Sequence, residues 1–149
     1  MIENKESVRP SVERILGIDY GERRVGLAVS DPLGITAQGL ETFDRRSGDL
    51  LEHLSGLVSY YDVGRMVVGH PLSMSGRPSQ TSRRAEQLAD QLRERFDLEV
   101  ILWDERLTSA EARRIVAGSG AGKEAVDRVA AGLILQGYLD SRGGGEETP

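Results

Sequence analysis

The sequence predicts an α/β fold: a central mixed five-stranded sheet, three antiparallel strands followed by alternating helix and strand, with helices on its faces. Three observations predict it. Two apolar runs joined by a short polar turn open the chain, and a third alternating run follows a Pro-Leu-Gly turn, the pattern of an antiparallel meander. Beyond residue 47 the apolar positions shift from an alternating to a helical period, and helical segments then alternate with short apolar ones. The chain has 149 residues, which suits one domain with a real core, since folding at this size hides roughly 70% of the extended chain's surface.

Residues 15–19 and 24–30 read as two strands joined by Tyr20-Gly21-Glu22-Arg23, and 35–43 reads as a third after Asp31-Pro32-Leu33-Gly34. From Ser47, residues Leu50, Leu51, Leu54, Leu57, Val58 and Tyr61 follow a helical period, and 65–69 is a short buried strand. The segment from His70 to Gln80 is rich in Gly, Pro and Ser, and no core requires it. A helix follows with Ala85, Leu88, Ala89, Leu92 and Phe96 on one side, then a strand over 98–103. Thr108 with Glu111 is a capping-box signature for a helix ending near 118–122, and the last helix spans about 123–139. The predicted order is βββαβαβαα without an internal repeat. Residues 1–13 are expected to form a flexible extension, 14–140 the domain, and the Gly-rich acidic segment 141–149 a disordered tail.

The absence of cysteine excludes disulfides, thiolate nucleophiles and zinc-thiolate sites, and two histidines are too few for a His-rich metal centre. Any metal would be held by oxygen. The first residues lack a basic-then-apolar signal pattern, and no apolar run approaches the roughly 18 residues of a membrane helix, so a cytoplasmic protein without a membrane partner is expected. A net charge of −5 argues mildly against a nucleic-acid partner. Carboxylates gathered around a metal are neutralised when the site fills, however, and 17 of the 19 basic residues are arginine. The doublets Arg23-Arg24, Arg83-Arg84 and Arg113-Arg114 either cover solvated helix faces or hold phosphate.

Three carboxylates stand where a core is expected. Asp19 ends the apolar run Ile15-Leu16-Gly17-Ile18, where a lone charge costs several kcal/mol unless it is compensated. A turn aspartate is the plain alternative. Asp127 shares a helix face with Ala130, Ala131, Ile134 and Tyr138, which is the face that packs on the sheet, and the small Ala pair permits a close approach. Glu105 follows a buried strand; because successive strand side chains point to opposite faces, Asp104 and Glu105 cannot both aim at one site. Carboxylates about 4 Å apart repel by roughly 4 kcal/mol at an effective dielectric of 20, so convergence demands a counter-charge that Mg²⁺ or Mn²⁺ supplies. Two such ions about 4 Å apart would clamp an attack of water on a phosphodiester.

The segments GIDYGERRVGLAVSD, VVGHPLSMSG, WDERLTSAEA and VDRVAAGLILQGYLD resemble the YqgF (RuvX) family over residues 15 to 140 or so. That resemblance implies a ribonuclease H-like fold. It also implies an activity described both as Holliday-junction resolution and as maturation of the 5′ end of pre-16S ribosomal RNA. By motif it implies catalytic, metal-binding acids at Asp19, Glu105 and Asp127, the three reached above, and support of the site by Arg106 and Thr108. We take Gly21, Arg23, Arg24, His70, Arg106 and Thr108 as candidate substrate contacts. The loop departs from the family pattern at two positions: His70 stands where leucine is usual, and Ser75 where aspartate is. His70 is either a proton carrier or a plain hydrogen-bonding group. Asp31 and Asp104 are weak candidates for a fourth acid. The expected partners are nucleic acid, as pre-rRNA or branched DNA, and ribosomal particles, with the chain acting as monomer or homodimer. Rival readings are an actin-like ATPase domain, which needs a second domain to close over nucleotide, and a non-catalytic nucleic-acid-binding module.

Overall fold

The computed structural model describes residues 13–107, 114, 118, 120 and 122–143. Strands β1 (Arg14–Tyr20), β2 (Arg24–Ser30) and β3 (Ala37–Asp44) form the expected meander. Helix α1 (Leu50–Tyr61), β4 (Val63–His70), α2 (Gln80–Phe96), β5 (Glu99–Asp104) and α3 (Lys123–Gly143) follow. The sheet order is β3-β2-β1-β4-β5, with β4 and β5 parallel to β1 and the first three strands antiparallel in sequence.

Capping chemistry accounts for the boundaries that differ from the sequence pattern. Helix α1 begins at Leu50 rather than Ser47, because Asp44 caps a separate 3₁₀ turn, Arg45–Ser47, and Asp49 then accepts the Leu51 amide at 3.0 Å. Ser79 and Ser82 bond reciprocally to each other's backbone to start α2. Asp62 and Asp97, both left-handed at φ 59 and 55, close α1 and α2 where glycine is more usual. Helix α3 continues through Gly143, beyond the domain end expected at 140. Most of the helix expected from Thr108 lies outside the described residues, as do residues 1–12 and 144–149; within it the Gly118 amide donates to the Arg114 carbonyl at 2.9 Å.

Strand alternation sorts the core into two clusters. Leu16, Ile18, Val25, Leu27, Met66 and Val68 face α1 and α2, joined by Leu54, Leu88 and Leu92 from those helices. Each such side chain contributes roughly 1.5–3 kcal/mol by leaving water. On the opposite face Ile15, Ala28 and Val67 meet Ala131, Ile134, Leu135 and Tyr138 of α3. Among the described residues no helix is long and apolar enough to cross a membrane.

Candidate active site

Asp19 continues the alternation of Ile15 and Gly17, which puts its side chain on the α3 face at the C-terminal end of β1. Its antiparallel partner is Gly26 on β2. Helix α3 crosses the sheet so closely there that a Cβ on Gly26 would strike the main-chain carbonyl of Asp127. On the other side of β1, Ile18 pairs with Val68, so Gly69 of β4 is the next neighbour of Asp19. A Cβ on Gly69 would lie 2.5 Å from Glu105 Oε2 and 2.7 Å from Ile134 Cδ1. Asp127 over β2, Asp19 on β1 and Glu105 over β4 therefore occupy three adjacent strands on one face, at one end of the sheet. Glycines inside strands signal such close approach, and Gly26 and Gly69 are the site residues that sequence reasoning passed over.

The donors are all hard carboxylate oxygens, the chemistry that suits Mg²⁺ or Mn²⁺. The two missing Cβ atoms leave the space in which those donors gather. Among the described residues, however, no three acidic or histidine side chains close into a metal-binding group. Asp127 Oδ2 instead accepts a hydrogen bond from Arg24 Nε at 3.0 Å, both side chains being about one-quarter exposed. In the chemistry of its donors the set suits a divalent ion, while in this structure the Asp127 carboxylate is held by Arg24.

The remaining candidates are placed differently from one another. Gly21 is a turn residue: its amide donates to the Arg24 carbonyl at 3.1 Å, and a Cβ would come within 2.5 Å of that oxygen. Arg23 pairs with Asp44 at 3.3 Å, and Arg45 donates to the Gly21 and Glu22 carbonyls while lying over the Tyr20 ring. His70 lies opposite Asp104 in register, and its Nε2 bonds Glu86 Oε2 of α2 at 2.7 Å. It therefore points away from the three acids, which favours the hydrogen-bonding reading over the proton carrier. Thr108 lies outside the described residues.

Arg106 is engaged rather than free. Its Nε and one terminal nitrogen fork onto Asp104, with the shortest contact at 2.6 Å, and its other terminal nitrogen donates to the carbonyls of Ser73 and Met74. It thus ties the Gly/Pro/Ser loop to the end of β5. The Arg106 side-chain hydrogen bond holds the Asp104 carboxyl below its ordinary pKa, with the Arg106 amide adding to the effect, and Asp104 in turn raises Arg106. Asp31 sits at the far end of β2, where the amides of Thr36 and Ile35 lower its pKa. Neither weak candidate for a fourth acid joins the other three.

A sequence model described as "RuvX: Holliday junction resolvase" matches residues 13–141. A protein of Koribacter versatilis named "Putative pre-16S rRNA nuclease" is 46% identical over 141 residues, 91% of this chain and 92% of that one. One of the same name from Acetivibrio thermocellus is 47% identical over 138 residues, covering 87% and 97%. Among solved structures, Thermus thermophilus RuvC in complex with a Holliday junction substrate superposes with a TM-score of 0.56 at 15% identity, over 87% of this chain and 96% of that one. The last is a likeness of fold, and it agrees with the ribonuclease H-like architecture expected from the motifs.

Proposed function

The chain belongs to the RuvX family, and from that premise we propose that it is a nuclease that hydrolyses phosphodiesters of pre-16S ribosomal RNA, with Asp19, Glu105 and Asp127 as its catalytic acids. The observation that carries this reading is the placement of three carboxylates on three adjacent strands, on the face where two glycines let α3 and Glu105 close in. Such a gathering is costly for folding and useful for holding a cation.

Asp19, Glu105 and Asp127 would hold Mg²⁺ or Mn²⁺, two ions in our reading, which would supply a Lewis acid and a water of lowered pKa. The protein's own residues do the positioning. Arg24 and Arg128 line an open depression of about 510 Å³ beside Asp127, together with Gly122, Glu124 and Ala125, and present positive charge to flanking phosphates. Arg106 fixes the loop carrying Ser73 and Met74 next to Glu105, and the His70–Glu86 pair anchors that loop where it leaves β4.

The test is cleavage by purified protein of a 5′-extended pre-16S leader and, in parallel, of a four-way DNA junction, with Mg²⁺, Mn²⁺ or EDTA. Metal-dependent cutting of the leader is expected. Cutting of the junction alone would move the substrate to branched DNA, a reading the fold likeness to RuvC favours. Binding without cutting under every condition would leave a non-catalytic module.

A further inference from the structure

Asp127 carries a ligand of its own making. The Arg24 guanidinium sits on Oδ2 at 3.0 Å, with both side chains about three-quarters sheltered on the site's face. The main chain at Asp127 is pinned over Gly26, two residues along β2 from Arg24. Neither partner is brought there by sequence proximity; 103 residues separate them. The pair is therefore built by the same helix-on-sheet contact that delivers Asp127 to the site.

We propose that Arg24 is a built-in counter-cation that competes with the divalent ion for Asp127 and is handed over to a substrate phosphate when the ion enters. This rests on the metal-nuclease reading above. Without an ion, three neighbouring carboxylates need positive charge close by, and the guanidinium supplies it to the one nearest β2. With an ion present, both positive charges cannot share that carboxylate without repelling each other. The depression that Arg24 lines with Arg128 gives the displaced guanidinium a place to turn, and a planar fork of donors suits a phosphate. Arg24 thus neutralises Asp127 in the empty site and turns its charge toward nucleic acid once the ion has displaced it.

A merely structural ion pair predicts the opposite sign for one measurement. If Arg24 only positions Asp127, removing it should weaken ion binding; if it competes, removal should tighten it. The experiment is calorimetric titration of Mn²⁺ into wild-type protein, Arg24→Gln and Arg24→Lys without nucleic acid. Thermal melts with and without Mn²⁺ establish that each variant is folded. Arg24→Gln should bind Mn²⁺ about fivefold more tightly, the size expected from a partly exposed ion pair, and its melting temperature should rise more on adding Mn²⁺ than that of the wild type. Arg24→Lys, which keeps the charge, should stay near wild type. In Ca²⁺, Arg24→Gln should bind a leader RNA more weakly than wild type. Equal or weaker Mn²⁺ binding by Arg24→Gln overturns the proposal while leaving the nuclease reading intact. No Mn²⁺ binding by any form, wild type included, overturns both.

Discussion

The two faces of the sheet are built from opposite materials. Toward α1 and α2 the strands present Leu16, Ile18, Val25, Leu27, Met66 and Val68, all fully buried. Toward α3 the same strands present Ile15, Ala28 and Val67 and, at the end where the acids lie, glycine. Large side chains hold a helix off the sheet and fill the gap with apolar volume, which stabilises the fold. Glycine lets a helix backbone reach the sheet and bring a carboxylate with it. Strand parity therefore sorts neighbours along β1 to different surroundings: Ile18 points into the apolar core and Asp19 to the face where the carboxylates lie.

Substitutions on the α3 face should strike activity first. Asp19→Asn and Glu105→Gln should each lower the cleavage rate by about a thousandfold, ~4 kcal/mol of barrier, with stability held or raised because a crowded negative charge is gone. Denaturant melts alongside single-turnover cleavage would check both halves. A variant that cuts within about tenfold of wild type, ~1.4 kcal/mol, is not a catalytic acid. The opposite face should reverse the pattern: Leu16→Ala should cost about 3 kcal/mol of stability, and the protein that remains folded at low temperature should cleave at nearly the wild-type rate.

Gly69→Ala sharpens the comparison, since the atoms nearest its new Cβ are the ends of the Glu105 and Ile134 side chains. Those ends can shift, so we expect a loss of stability under about 1 kcal/mol together with a loss of about tenfold in cleavage as the Glu105 carboxylate is pushed aside. The smallest effect is expected at Asp104. Its folded-state pKa is depressed, first by the Arg106 side chain, so its contribution is present at neutral pH and fades as pH falls below about 4 through the folded value. Asp104→Asn should therefore be less stable than wild type at pH 7 and converge with it on acidification, as measured by urea unfolding across that range. It should be far milder than Glu105→Gln in cleavage.

Periodicity made the element order and the facing of each acid legible. Alternation separated Asp104 from Glu105 without saying which of them joins Asp19, a choice that the family resemblance made; this opposition is a local property of extended chain and survives into the turn after β5. The pairing of the arginines was not legible. Arg24 read as a free phosphate ligand because its partner is set by tertiary contact, Asp127 lying 103 residues on; Arg106 has a local partner in Asp104, but its hold on the Ser73 and Met74 carbonyls, 33 and 32 residues back, is equally tertiary. His70 likewise meets Glu86, nearly two turns into a helix whose docking no local pattern specifies. The helix boundaries at Leu50 and Gln80 depended on side-chain caps, and several Ser and Asp residues compete for that position in the sequence.

The third acid rides on the last helix, and this has a consequence for the order of events during synthesis. A chain emerging N-terminus first completes β1 to β5 before Lys123 begins α3. Until that helix arrives, Asp19 and Glu105 have no Asp127, and the glycines of β2 and β4 have nothing lying over them. The last of the three carboxylates therefore emerges after the whole sheet, so a chain that stops short of Lys123 carries all five strands with Asp19 and Glu105 and lacks Asp127.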